Sequence, residues 1–111
     1  MNDFIKKSLI DILVSIDGID YHLAGNEDFQ IYLQKPTTRR AVERELEIIG
    51  EAVNRILKVD ADFPLSKARQ IISFRNHVIH SYDTVDHNLV WKVIVIDMPI
   101  LKNEVIELLK A

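Results

Sequence analysis

Apolar residues recur at helical spacing along almost the whole chain, and this pattern restricts the fold more than any other feature. The period of three to four residues runs from Asp3 to Leu23 and returns in later stretches that end near Leu57 and Leu109. Only three glycines and three prolines are present, which disfavours a β-rich or loop-rich fold. We therefore predict an all-α protein. The apolar positions of the first stretch are Ile5, Leu9, Ile12, Ile16, Ile19 and Leu23.

Capping residues and prolines divide this pattern into four main helices and one short helix. The predicted ranges are about 3–23, 26–35, 38–57, 64–82 and 87–109. Pro99 is expected to kink the last helix, because proline has no N–H to donate. Short connections between such helices predict an antiparallel four-helix bundle with one extra short helix. The expected N-caps are Asn26, Thr37 or Thr38, and Asp86.

The composition is that of one globular domain, which we place over residues 1–111. The chain is 48% hydrophobic and 28% charged, with a net charge of −3, so its surface as a whole does not favour nucleic acid. Cysteine is absent, which excludes disulfides and thiolate metal ligands. The N-terminus has no signal-peptide pattern, and no apolar run reaches membrane-spanning length. We expect a cytoplasmic protein without a membrane segment, a metal site or a cofactor.

Arg75 lies in the middle of an apolar helical stripe, where a surface arginine would not lie. A guanidinium there must meet a carboxylate, an interface or a ligand, because an unpaired buried charge is very costly. Glu45, on the third helix, projects toward the apolar side, so we predict that it pairs with Arg75. Taken alone, this pattern favours a purely structural ion pair. The apolar neighbours on the stripe are Ala68, Ile71, Ile72, Phe74, Val78 and Ile79.

The residues that follow Arg75 bring together side chains suited to acid–base chemistry. Asn76, His77 and His80 form a polar stripe beside it, and Tyr82 lies two residues further on. Histidine titrates near neutral pH and suits proton transfer, whereas arginine stays charged and offers a fork of donors to phosphate. Asn76 is placed to orient the imidazole or the phosphate, and His77 is either a second such group or a solvent-facing residue. The non-catalytic alternatives are that His80 is a surface histidine and that Tyr82 is a buried ring.

The spacing of Arg75, His80 and Tyr82 follows the pattern R-x-x-x-x-H-x-Y. This stretch resembles the signature of HEPN-domain ribonucleases, and most closely that of the HepT-type toxins. The resemblance extends to segments 40–52 and 85–91, and so covers most of the chain. One difference is that such proteins often carry a tryptophan shortly after a proline ahead of the motif, whereas the only tryptophan here comes later, in segment 85–91.

The resemblance implies a helical bundle that acts as a metal-independent endoribonuclease toxin. In that family Arg75 would stabilise the phosphate, His80 would transfer a proton, and a homodimer would bring two motifs together. A cognate nucleotidyltransferase antitoxin would add AMP to Tyr82 and silence the toxin. The resemblance also indicates Glu47 and Glu51 as alternative acidic partners for the arginine. A second hypothesis is a non-catalytic HEPN module that helps an associated nucleotidyltransferase bind its substrate.

Overall fold

The chain folds into a bundle of helices joined by short connections. A computed structural model describes residues 1–80 and 85–111, with the backbone alone for residues 78–80. Within these ranges the regular structure is helical throughout, and the predicted all-α bundle is confirmed. The elements are α1 (Asp3–Leu23), α2 (Phe29–Leu33), α3 (Pro36–Val59), α4 (Ala68–His80), α5 (His87–Lys92), a π-helical turn (Val93–Asp97) and α6 (Met98–Lys110).

The first helix has the predicted bounds. The side chain of Asn2 accepts a hydrogen bond of 2.7 Å from the Ile5 N–H, which satisfies one of the free amides of the first turn. The helix ends where Ala24 and then Gly25 adopt positive φ angles of 50° and 80°. A left-handed residue at this position is a common way to stop a helix, and glycine adopts it without steric cost.

The predicted starts of α2 and α3 were wrong by a few residues. Asp28, not Asn26, caps α2, because its carboxylate accepts the Gln30 N–H at 2.8 Å. Helix α3 begins at Pro36, and neither threonine caps it. Proline suits the first helical position because its fixed φ is already helical and it has no N–H to satisfy.

The start of α4 was also predicted too early. The residues after Pro64 form turns, and the helix begins at Ala68. A long-range contact stabilises this connection: the N–H of Ser66 donates to the Glu104 carboxylate in α6, 3.2 Å from Oε2. Local sequence patterns cannot reveal a contact between residues this far apart in the chain.

The last predicted helix is present, but it contains a π-helical turn. Asp86 caps it as expected, and its carboxylate accepts the Leu89 N–H at 3.2 Å. Backbone angles stay right-handed helical where α5 meets the π turn and where the π turn meets α6. In the π turn the Met98 N–H donates to the Val93 carbonyl, five residues back. This wider turn accommodates Pro99, whose ring would otherwise crowd the preceding turn.

The core lies between α1, α3, α4 and the long last helix. Helix α1 packs along α3, α3 packs along α4, and α6 packs against α1. No helix in the part of the chain that the structure describes is both long enough and apolar enough to span a membrane. The largest fully buried side chains are Tyr32, Leu9, Ile12, Ile19, Ile49, Ile56, Leu101, Val42, Val53, Val90 and Val105.

Candidate functional site

Arg75 lies on the face of α4 that packs against α3. Its side chain is 25% exposed, so most of it is inside the interface. The aliphatic stem rests on Gly50: a Cβ placed on that glycine would lie 2.5 Å from the Arg75 Cβ and 2.8 Å from its Cδ. No real side chain tolerates such distances. Because Gly50 has no side chain, it leaves the space in which the Arg75 stem crosses the interface between α3 and α4.

The guanidinium of Arg75 makes only long polar contacts with the rest of the described chain. Its Nη2 lies 3.9 Å from Glu51 Oε1, and its Nη1 donates to Asn76 Oδ1 at 3.4 Å. Its Nε is buried and meets no acceptor among the described residues. Strong charge-assisted bonds of this kind measure about 2.7–2.9 Å. The guanidinium is therefore oriented by its neighbours while its terminal donors are left largely uncommitted.

The predicted pairing of Arg75 with Glu45 is wrong, because among the described residues the carboxylate beside Arg75 is that of Glu51. Glu45 is half-buried, but it points toward α1, where its carboxylate covers Gly18. A Cβ on Gly18 would lie 1.7 Å from Glu45 Oε2. The physical reason is rotational: on a helix, Glu45 and Glu51 project about 120° apart, and Arg75 meets α3 beside the second of them.

The two polar residues after Arg75 have different surroundings. Asn76 is exposed and its amide oxygen accepts from the guanidinium, so it orients the arginine. His77 is half-buried and faces the start of α5, where its Nε2 accepts the Asp86 N–H at 3.4 Å. It lines a groove of about 590 Å³ between α4 and the last helix. His77 is therefore half-buried against the start of α5, and its two predicted roles, as a second catalytic group or as a solvent-facing residue, stay predictions.

The remaining two residues of the predicted site are His80 and Tyr82. His80 is the last residue of α4, about 7.5 Å along the helix axis from Arg75, and its side chain lies outside the described residues. Tyr82 falls wholly outside them. Their predicted roles stay predictions. Among the described side chains, no three histidine, aspartate or glutamate residues converge as metal ligands.

A second group of polar residues, which we call the Glu43 cluster, comprises Tyr32, Glu43 and His87. Burial raises the pKa of the Glu43 carboxyl, while the nearby His87 charge acts in the opposite direction. Burial, and then the Glu43 charge, raises the pKa of the Tyr32 hydroxyl. Tyr32 is fully buried with its ring 5.1 Å from that of Trp91, one helical turn after His87. The sequence pattern did not reveal this cluster, because its members come from α2, α3 and α5.

The raised pKa of Glu43 predicts how its substitution changes stability. The folded protein holds this proton more tightly than the unfolded chain, so the contribution to stability is present at low pH and lost as pH rises through the folded pKa. At neutral pH the ionised Glu43 carboxylate therefore lowers the stability of the folded protein. We expect Glu43→Gln to raise the free energy of unfolding at pH 7, measured by chemical denaturation, and to raise it less near pH 4.5.

Glu47→Gln is the matched control for this effect. Glu47 lies one turn further along α3 and accepts a 3.1 Å bond from Arg44, while its charge also raises the pKa of Glu43. Its neutralisation therefore removes one favourable and one unfavourable interaction. It is expected to leave stability unchanged or slightly lower it. A Glu43→Gln protein that is less stable than the wild type at pH 7 would contradict the assignment of an unfavourable buried charge.

Comparison with known proteins agrees with the motif. Residues 12–108 match the family described as "Ribonuclease HepT-like". The "Putative RNase MJ1380" of Methanocaldococcus jannaschii is 35% identical over 103 residues, which cover 91% of this chain and 93% of that protein. The "Probable ribonuclease HepT" of Thermococcus cleftensis is 37% identical over 103 residues, or 89% of this chain and 90% of that protein. No solved structure matches the chain.

The match includes the α3–α4 pair that carries Arg75 and Glu51, and it leaves out only the ends of the chain. The two relatives align over most of their own length, so the similarity covers a whole domain and not a short motif. The family predicted from the R-x-x-x-x-H-x-Y spacing is confirmed. This chain belongs to the ribonuclease HepT-like family.

Proposed function

We propose that this protein is an endoribonuclease in which Arg75 binds the phosphate at the cleavage site. The observation that carries this proposal is a half-buried guanidinium whose terminal donors make only long contacts, at 3.4 Å and 3.9 Å, with the residues that the structure describes. Arginine presents a planar fork of donors that matches two phosphate oxygens. A purely structural ion pair would be expected to close to a shorter distance. The membership of a ribonuclease family supports RNA as the substrate.

The proposed reaction transfers two protons and moves one bond at phosphorus. The 2′-oxygen loses its proton to a base and attacks the adjacent phosphorus, while the bond from phosphorus to the 5′-oxygen breaks and that oxygen gains a proton. The products are a 2′,3′-cyclic phosphate and a 5′-hydroxyl. His80 is the proposed proton-transfer group, since imidazole titrates near neutral pH. Arg75 stabilises the charge that develops on the phosphate oxygens, and Asn76 orients the guanidinium.

A homodimer would supply the second proton-transfer group. Each chain contributes one His80, whereas the reaction needs both an acid and a base. His77 is a weaker candidate for the second role, because its Nε2 already accepts the Asp86 N–H. We therefore propose that two copies bring their motifs together, with sedimentation at micromolar concentration as the measurement that shows a dimer or excludes it.

The test of the proposed function uses purified protein, RNA and an excess of chelator. Wild-type protein is expected to cleave without added metal, and His80→Ala is expected to lose at least about 100-fold in rate. His22→Ala is the matched control, because His22 is a half-buried histidine on a different helix. Cleavage by His80→Ala at the wild-type rate would refute the assignment of His80 to proton transfer. A wild-type protein that binds RNA but never cleaves it would favour the non-catalytic module.

We further propose that the enzyme is the toxin of a toxin–antitoxin pair and that its partner is a nucleotidyltransferase. This proposal rests on the HepT-like family and on Tyr82, which follows His80 by two residues. An AMP group on Tyr82, seven residues after Arg75, would add a bulky phosphodiester with a negative charge to the motif that carries the phosphate-binding arginine. It would compete with RNA both for space and for the donors of Arg75.

Tyr82→Phe separates toxicity from silencing. The variant keeps the ring but has no hydroxyl to modify, so it is expected to remain toxic in cells and to escape the co-expressed nucleotidyltransferase. Mass spectrometry of the co-expressed wild-type protein should find one AMP adduct on Tyr82. Normal neutralisation of Tyr82→Phe, or an unmodified Tyr82, would leave simple complex formation as the explanation.

A further inference from the structure

We propose that the groove between α4 and the last helix, which we call the α4 groove, holds the single-stranded RNA next to the cut, and that Lys67 and Lys92 contact its phosphates. This inference rests on the proposed ribonuclease function and adds the path of the substrate. The α4 groove has a volume of about 590 Å³, within the range of about 300–1,000 Å³ that is usual for ligand sites. The two lysines line it from opposite walls.

The α4 groove begins beside the proposed catalytic motif. His77 lines it and comes three residues before His80, a distance of about 4.5 Å along the helix axis. Gln70, Ser73 and His77 follow one another at intervals of three and four residues, so they form one polar row along the α4 wall. From Lys67 to His77 this wall is about 15 Å long. Stacked bases lie about 3.4 Å apart along a strand, so the wall gives room for a few nucleotides.

The exposed side of α4 connects the proposed cleavage site to the α4 groove. Arg75 faces α3, whereas His77 faces the start of α5, so the two side chains leave α4 in different directions. Asn76 is exposed between them and contacts the Arg75 guanidinium. A helix is about 10 Å wide, which a short extended stretch of RNA can cross. A strand whose phosphate is bound at Arg75 can therefore continue past Asn76 into the groove.

The charge of the two walls favours a polyanion. Residues 64–82 contain lysine and arginine but no aspartate or glutamate, in a chain whose net charge is −3. Lys92 is exposed and adds a cation from the wall opposite α4. Lysines that neutralise phosphates supply most of the sequence-independent affinity of a protein for nucleic acid. A groove with cations on both walls is typical of sites that follow the backbone of a single strand.

The α4 groove also exposes apolar surface that bases can cover. Leu89 and Ile96 line it and are 39% and 47% exposed, whereas Phe74 and Val93 are buried at its floor. Unpaired bases pack their faces against aromatic and apolar side chains. A helix of another protein would also cover Leu89 and Ile96. The cations on both walls and the continuity with the catalytic motif favour RNA.

Asp97 holds Lys67 in the free protein and gives the inference a test of opposite sign. The Lys67 Nζ lies 3.8 Å from Asp97 Oδ1, and both side chains line the α4 groove. An ion pair of this length is weak, so a phosphate can replace the carboxylate. Asp97→Asn releases Lys67 from this pair and removes a negative charge from the groove. We expect the variant to bind RNA about threefold more tightly than the wild type.

The main test measures binding of a fluorescent 2′-O-methyl oligonucleotide, which the protein cannot cleave, at several salt concentrations. The double variant Lys67→Gln/Lys92→Gln is expected to bind about tenfold more weakly at low salt. The slope of log Kd against log salt concentration should fall by about 1.4, or about 0.7 for each lost phosphate contact. Lys102→Gln is the matched control, because Lys102 lies on α6 with its Nζ 3.9 Å from Asp17 of α1. It should keep the wild-type slope.

A crosslinking experiment locates the bound strand. The chain has no cysteine, so a single introduced cysteine carries a photocrosslinker to a known position. Gln70→Cys places it on the exposed polar row of the α4 groove and is expected to crosslink the oligonucleotide. Val14→Cys places it on the exposed side of α1 and should give no crosslink above background.

Three outcomes would overturn the inference. They are a Lys67→Gln/Lys92→Gln protein with the wild-type affinity and salt slope, an Asp97→Asn protein that binds RNA no more tightly than the wild type, and equal crosslinking from Gln70→Cys and Val14→Cys. If RNA binding is unchanged in the double variant but Ile96→Ser converts a dimer into a monomer, the groove is an interface between two copies. These measurements do not require cleavage. A protein that binds RNA through the groove but never cleaves it would refute the proposed function while supporting this path for RNA.

Discussion

Arg75→Ala is expected to reduce RNA cleavage by about 1,000-fold, the scale of an arginine that stabilises a reacting phosphate. The variant removes the guanidinium that lies between Glu51 and Asn76, so charge on the phosphate oxygens would no longer be stabilised. The fold should survive, because the apolar core of α4 comes from other residues such as Ile71 and Phe74. Cleavage rates under single-turnover conditions and helical content by circular dichroism measure the two effects separately.

Two further arginine variants separate charge from geometry. Arg75→Lys keeps the positive charge but loses the planar fork, so it is expected to recover only a small part of the activity. Arg69→Ala removes an exposed arginine from the same helix and should change the rate little. Cleavage by Arg75→Ala at the wild-type rate would refute the mechanism. Loss of the fold in Arg75→Ala would show that the arginine acts mainly as half of a structural pair.

Gly50→Ala is expected to destabilise the protein and to reduce cleavage together. Alanine normally stabilises a helix relative to glycine by about 1 kcal/mol. Here the new Cβ would lie 2.5–2.9 Å from the Cβ, Cγ and Cδ of Arg75, and an overpacked core costs about 1–3 kcal/mol. The second effect wins because the Arg75 Cβ cannot move without its backbone. We expect a net loss of about 1 kcal/mol, or roughly 5 °C in Tm for a domain of this size.

Gly18→Ala is the matched comparison, since it adds the same methyl group to a helix. Its Cβ would meet the carboxylate end of Glu45, which can rotate away at little cost. Helix propensity then dominates, and Gly18→Ala is expected to keep or raise Tm. Thermal denaturation of both variants compares the two glycines. A Gly50→Ala protein as stable and as active as Gly18→Ala would show that the arginine stem does not depend on Gly50.

The candidate site was only partly predictable from the sequence. Arg75 stands out because it is a charge in an apolar stripe, and that signal is local to one helix. The choice between Glu45 and Glu51 depends on where α4 crosses α3, which no local pattern encodes. Gly50 sits among the acidic positions of α3, but its role depends on the Arg75 stem above it. His77 belongs to the polar stripe in the sequence, and its contact with Asp86, nine residues later, is visible only in the folded chain.

The amino-acid sequence alone determined the all-α class, the apolar faces and the membership of a ribonuclease family. These properties follow from helical periodicity and from a motif within one helix, both of which are readable over short distances along the chain. Only the tertiary structure decided which carboxylate lies beside Arg75, where α4 begins and how the π turn accommodates Pro99. It also brought Tyr32, Glu43 and His87 together. The reason is that packing between helices depends on their rotation and crossing, and side chains far apart in sequence settle both.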